Sequence, residues 1–115
     1  MRIGVYDRFW PTGGGGEKFA GGIAQVLAGR HDVELVGHDP VDLAELGDRL
    51  QLDLAKVALR LVDRSPTAVE AASASYDLFV NASYGSVDRN AADRGLYVVH
   101  FPVMPPFRWV ILMVA

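Results

Sequence analysis

Hydrophobic and polar positions alternate along the chain in a pattern that predicts strands separated by helices. Apolar runs predict buried strands at five places: 2–6, 33–37, 57–62, 78–82 and 96–100. Helical spacing of apolar residues between these runs predicts helices at 16–29, 41–50 and 66–75. In the first helix, Phe19, Ile23, Val26 and Leu27 share one face, which we expect to be buried. Strands that alternate with helices usually form a parallel sheet with right-handed crossovers.

The predicted fold class is therefore α/β, a Rossmann-like parallel sheet of about five strands with helices on both faces. The 115 residues are enough for one domain, which we place at residues 1–102. Residues 103–115 form an apolar tail or the start of a missing segment, because only Arg108 interrupts the apolar residues from Phe107 onward. An apolar surface that nothing covers favours self-association through this tail.

Composition narrows the classes of partner and cofactor. The net charge is −3 without a long basic run, so nucleic acid is not an expected partner. The chain has no cysteine, which excludes disulfides and thiolate chemistry. His31, His38 and His100 have no second ligand at zinc-like spacing, so we expect no metal. With no leader-like start and no apolar stretch of about 20 residues, the sequence predicts a cytoplasmic protein.

The run from Gly13 to Gly16 is the strongest functional signal in the sequence. It follows the first predicted strand and opens the first predicted helix. Backbone N–H groups and the partial positive charge at such a helix start bind anions. The run therefore predicts a phosphate-bearing or sugar-bearing ligand at the carboxyl edge of the sheet. The adjacent Glu17 either contacts that ligand or only stabilises the first helical turn by its charge.

Further candidates lie at the ends of other predicted strands. Ser83 and Tyr84 follow the fourth strand, and His100 ends the fifth. Open α/β sheets bind ligands in the crevice outside the carboxyl ends of their strands. The alternatives are an ordinary polar loop for Ser83 and Tyr84, and a structural role for His100. Trp10, beside the glycines, either stacks on a ligand or holds the loop in place.

Three segments of the chain stand out: GGGGE at 13–17, YDLFVN at 76–81 and YVVHFP at 97–102. Together they resemble the N-terminal domain of GT-B fold, family 4 glycosyltransferases, in particular the branch of the dolichol-linked mannosyltransferases. The resemblance covers residues 1 to about 102 and implies an apparently truncated enzyme whose C-terminal domain is missing. No paired-glutamate motif of that domain occurs after residue 100, so the isolated chain is expected to be inactive.

The resemblance implies that the intact enzyme transfers a sugar, with mannose as one candidate, from a nucleotide diphosphate sugar to an acceptor. No cofactor is implied beyond this donor substrate. The N-terminal domain mainly binds the acceptor, and association with a membrane surface through that acceptor is a further expectation. By resemblance, His100 contacts the donor sugar as a catalytic residue. The expected donor- or acceptor-binding residues are Gly13, Gly14, Gly15, Gly16, Glu17, Ser83 and Tyr84.

Two other functions remain open. A nicotinamide-dependent oxidoreductase fragment is the first, because Asp39 follows the second strand, where dinucleotide-binding folds place a ribose-binding acid. The strict G-x-G-x-x-G pattern is absent, since position 19 is Phe. The second is a non-catalytic binding module of flavodoxin-like order. Binding of nicotinamide dinucleotides or of nucleotide sugars distinguishes the first of these from a glycosyltransferase.

Overall fold

The computed structural model describes residues 1–86 and 88–99. The predicted catalytic residue His100 and the predicted tail at 103–115 lie outside the described residues. Within that range, no helix is long and apolar enough to cross a membrane.

The described residues form five strands, three α-helices and one 3-10 turn. The strands are β1 (Arg2–Tyr6), β2 (Asp32–Gly37), β3 (Ala58–Leu61), β4 (Leu78–Asn81) and β5 (Arg94–Tyr97). The helices are α1 (Gly15–Leu27), α2 (Leu43–Leu50) and α3 (Pro66–Ser73), and the 3-10 turn is Trp10–Thr12. Side-chain caps begin two of the helices: Asp42 accepts from two backbone N–H groups of α2, and Ser65 accepts from one in α3.

The five strands form one parallel sheet in the order β3-β2-β1-β4-β5, with β1 at the centre. The chain builds outward from β1 to β3, then crosses back to add β4 and β5 on the other side. The predicted Rossmann-like α/β class is thereby confirmed. Because the strand order reverses between β1 and β4, the loops after these two strands leave the sheet in opposite directions.

Alternate residues of the strands face two separate apolar layers. Ile3 and Val5 of β1 face one layer, in which α1 and α2 contribute Ala20, Ala24, Leu46 and Leu50. Tyr6 faces the opposite layer, where Val36, Val69, Tyr76 and Phe79 pack around it. The predicted placement of helices on both faces is therefore confirmed, with α1 and α2 on one face and α3 on the other.

The predicted buried face of the first helix is wrong for two of its four residues, whereas Leu27 packs against the core. Phe19 and Val26 are 52% and 77% exposed. The buried residues of α1 are instead Glu17, Ala20, Gly21 and Ala24. Small side chains let the helix pack closely, since a Cβ at Gly21 would lie 2.8 Å from Leu52 Cδ1. Phe19 and Val26 consequently lie on the exposed side of the helix.

The fifth strand is displaced from its predicted position at 96–100. It begins at Arg94 and pairs with β4 in a register that sets Leu78 opposite Arg94 and Asn81 opposite Tyr97. Most of this edge strand is exposed, so its apolar residues do not mark its limits. The remaining predicted elements agree with the structure to within two residues at each end.

Candidate functional site

A cleft of about 560 Å³ opens where the strand order reverses, at the carboxyl ends of β1 and β4. Clefts of this volume are typical of small-molecule sites, and reversals of strand order are where α/β sheets bind ligands. We call it the switch-point cleft. Its lining residues are Phe9, Thr12, Gly15, Gly16, Glu17, Ala82 and Tyr84.

Gly15 and Gly16 form the first two residues of α1 and line this cleft. A Cβ added at either position would meet no atom within 4 Å, and neither residue has a positive φ. Neither packing nor backbone conformation therefore requires glycine at these two positions. The missing side chains instead leave the start of the helix open, where the first N–H groups of a helix have no intrahelical acceptor.

The other two glycines of the run have structural roles and lie outside the cleft lining. Gly13 follows the 3-10 turn with φ of 61°, in the left-handed region that favours glycine. Its Cβ would also lie 3.0 Å from Cζ of Arg49. Gly14 precedes α1, and its backbone N–H donates to Glu17 Oε1 at 2.8 Å. The predicted four-glycine site is thus divided, and only Gly15 and Gly16 reach the cleft.

Glu17 and Asp7 form a buried acidic pair at the base of the loop after β1. Glu17 is buried, lines the cleft and accepts the hydrogen bond from Gly14. Asp7 is only 1% exposed; its Oδ1 accepts from the Phe9 backbone N–H at 2.7 Å. Asp7 Oδ2 is buried with no hydrogen-bond partner among the described residues.

Burial, followed by interaction with the neighbouring Glu17 carboxyl, raises the pKa of Asp7 to about 8. Burial disfavours the charged carboxylate, and a second acid close by disfavours it further. Asp7 is therefore largely protonated at neutral pH. Burial of Asp7 thus limits the negative charge beside the start of α1.

Two exposed aromatic side chains form the rim of the switch-point cleft. Phe9 is 41% exposed and Tyr84 is 51% exposed, and they come from the loops after β1 and β4 respectively. Arg8 connects the same two loops, because its Nη2 donates to the Tyr84 carbonyl at 3.3 Å and its Cζ lies 5.7 Å from the centre of the Phe9 ring. The rim thus offers apolar ring faces beside the polar helix start.

Ser83 and Trp10 stabilise the loops of the site. Ser83 is buried and is absent from the cleft lining; its Oγ accepts from the Arg8 backbone N–H at 3.1 Å. Trp10 is also buried, and its Nε1 donates to the Val36 carbonyl at 3.0 Å. Of the two alternatives for Trp10, the structure supports holding the loop in place.

The structure therefore brings Gly15, Gly16, Glu17 and Tyr84 together around one cleft. Asp7 and Phe9 also belong to this site, although neither was predicted from the sequence. Asp7 carried a usable signal, because it is an acid directly after a buried strand, at the edge where such sheets bind ligands. Phe9 carried none, since an aromatic in a loop has no characteristic pattern.

Asp39, the candidate ribose-binding acid, is held in an ion pair. Both of its carboxylate oxygens accept from Arg64 Nη2, at 2.7 and 2.6 Å. In residues 1–86 and 88–99, no group of three or more His, Asp or Glu side chains is placed to hold a metal ion.

No protein-family model matches the chain, and comparisons with curated proteins and with solved structures found no match.

Proposed function

We propose that this chain is the acceptor-binding N-terminal domain of a GT-B fold, family 4 glycosyltransferase. In this proposal the switch-point cleft holds the transferred sugar beside the donor's diphosphate. The main support for this proposal is the pair Gly15 and Gly16, which line the cleft although neither packing nor conformation requires glycine there. The sequence resemblance supplies the family.

The chemistry of the cleft suits a sugar with a leaving diphosphate. The transition state of sugar transfer places negative charge on the diphosphate, and the open backbone at the start of α1 stabilises such charge. The faces of Phe9 and Tyr84 suit the apolar side of a sugar ring. Glu17 supplies an acceptor for sugar hydroxyl groups. Protonation of Asp7 reduces the negative charge that would otherwise oppose the diphosphate.

The proposal includes partners beyond the described residues. A second domain supplies most donor contacts, and His100 contacts the donor sugar. An acceptor attached to a membrane brings the enzyme to the cytoplasmic membrane surface. Mannose is the proposed sugar on the strength of the resemblance alone.

An NMR titration of the 115-residue chain tests the proposal. GDP-mannose and UDP-glucose are added to ¹⁵N-labelled protein, with NADH as the competing ligand class. We expect both nucleotide sugars to shift the amide resonances of Gly15, Gly16 and Tyr84 more than those of Gly22, an α1 glycine outside the cleft lining. Shifts caused by NADH alone would favour the dinucleotide-binding function. Shifts caused by none of the three ligands would contradict a nucleotide-sugar site.

A further inference from the structure

A second cleft, of about 370 Å³, lies beside the switch-point cleft and is separated from it by the loop that carries the 3-10 turn. The two clefts share Phe9 and Thr12. We call the second one the arginine cleft. Its lining residues are Arg8, Phe9, Pro11, Thr12, Asp39 and Arg64. They come from the loops after β1, β2 and β3, so the cleft opens at the same carboxyl edge of the sheet.

Two guanidinium groups and one carboxylate determine the charge of the arginine cleft. Arg64 uses one nitrogen, Nη2, for both oxygens of Asp39. Within the part of the chain that the structure describes, Nε and Nη1 of Arg64 donate to no acceptor. Among the described residues, Arg8 donates through Nε and Nη2, in long bonds of 3.4 and 3.3 Å, and its Nη1 has no acceptor there. The lining therefore carries one net positive charge and unused guanidinium donors.

We propose that the arginine cleft binds a phosphoryl group, held by Arg64 and Arg8 together. A guanidinium presents donors in a planar fork that matches phosphate oxygens, and charge-assisted bonds of this type are strong. A phosphoryl dianion has enough charge and oxygens to engage both arginines. Asp39 already supplies a carboxylate, and it engages Arg64 alone.

Asp39 acts in this proposal as a resident counter-ion that the ligand displaces. Both members of the ion pair are substantially exposed, and exposed ion pairs contribute only about 0–1 kcal/mol. Releasing Arg64 from Asp39 therefore opposes phosphoryl binding only weakly. The proposal does not depend on the proposed function, because its binding groups, Arg8 and Arg64, are absent from the lining of the switch-point cleft.

Equilibrium dialysis of the 115-residue chain against radiolabelled inorganic phosphate tests this site. We expect Arg64→Gln to weaken binding about tenfold or more, because it removes a charged donor. We expect Asp39→Asn to strengthen binding about threefold, because it removes the competing carboxylate. Arg30→Gln is the matched control: it removes the same charge from an exposed position after α1, outside the lining of the cleft. Circular dichroism verifies that each variant is folded.

The results separate a defined site from general attraction of anions. Unchanged binding in Arg64→Gln, or an equal loss in Arg30→Gln, would overturn the proposal. So would an Asp39→Asn variant that binds phosphate no better than the wild type. A parallel measurement with phosphatidylcholine vesicles, with and without phosphatidic acid, identifies the source of the group. Vesicle binding that requires Arg64 would indicate a lipid headgroup. Binding of inorganic phosphate with no binding to vesicles would indicate a soluble phosphate ester.

The experiment also distinguishes this inference from the function proposed for the switch-point cleft. Arg64→Gln should leave the amide shifts that nucleotide sugars cause at Gly15 and Gly16 unchanged, since Arg64 does not line that cleft. Loss of phosphate binding with those shifts retained would place the phosphoryl group in the arginine cleft alone. If Arg64→Gln abolished both phosphate binding and the amide shifts caused by nucleotide sugars, the two sites would not be separate and the inference would be overturned.

Discussion

The buried carboxyl of Asp7 should make this protein less stable as the pH rises toward 8. Asp7 is 1% exposed, and its Oδ2 has no partner among the described residues. Asp7→Asn is the informative change because it is nearly isosteric. Its side-chain oxygen retains the acceptor for the Phe9 N–H, and its amide cannot ionise.

The size of this change in the free energy of unfolding follows from the difference between the pKa of Asp7 in the folded and unfolded states. The folded value is about 8, and the ordinary value is 3.8. Between these values the folded state keeps a proton that the unfolded state has lost, so the free energy of unfolding falls as the pH rises. The steepest slope is about 1.4 kcal/mol per pH unit, and the loss between about pH 5 and pH 8 is at most about 4 kcal/mol. This contribution is fully present below the unfolded pKa and is lost as the pH rises through the folded pKa.

Urea unfolding of the wild type, Asp7→Asn and Asp63→Asn across this pH range measures the effect. Asp63 is exposed and serves as the matched control. We expect the free energy of unfolding to decline less with rising pH in Asp7→Asn than in the wild type. Near pH 8, Asp7→Asn should be the more stable of the two. Asp63→Asn should follow the wild type. If the wild type and Asp7→Asn lose stability in parallel, the reasoning about Asp7 is refuted.

Three further substitutions test the packing around the site by thermal and urea unfolding. Gly22→Ala should stabilise the protein by about 0.5–1 kcal/mol, because an added Cβ meets nothing within 4 Å and alanine favours a helix; a loss of stability would contradict this. Gly4→Ala should destabilise it by about 1–3 kcal/mol, since its Cβ would lie 2.9 Å from the Tyr76 ring, and a neutral result would mean that the ring moves freely. Trp10→Ala should cost about 3–5 kcal/mol, and a cost below about 1 kcal/mol would show that Trp10 does not hold the loop.

The central part of the fold is predictable from the sequence because it is buried on both faces. Ile3 and Val5 pack against one layer of helices while Tyr6 packs against the other, so β1 appears as a continuous apolar run. The edge strand β5 has no such cover, and its predicted limits were displaced. The buried face of α1 was predicted only in part, because its buried residues Ala20, Gly21 and Ala24 are small and carry little hydrophobic signal.

The candidate site was predictable only where a local pattern marks it. The glycine run after β1 indicated the start of α1, and Tyr84 followed from its place after β4. The arginine cleft carried no local signal, since Arg8 and Arg64 are far apart in the sequence and line one cleft only because of the strand order of the sheet. The roles of Gly13 and Gly15 were likewise indistinguishable in the sequence, because they depend on φ and on the space around each residue.

A comparison of Gly15→Val with Gly22→Val tests whether the switch-point cleft binds nucleotide sugars. A Cβ added at either site would meet no atom within 4 Å, but only Gly15 lines the switch-point cleft. We predict that Gly15→Val stays within about 0.5 kcal/mol of the wild type in urea unfolding, as most surface substitutions do. In the NMR titration it should lose the response to GDP-mannose and UDP-glucose, while Gly22→Val retains it. A Gly15→Val variant that binds both nucleotide sugars with wild-type affinity would contradict the proposed role of the cleft.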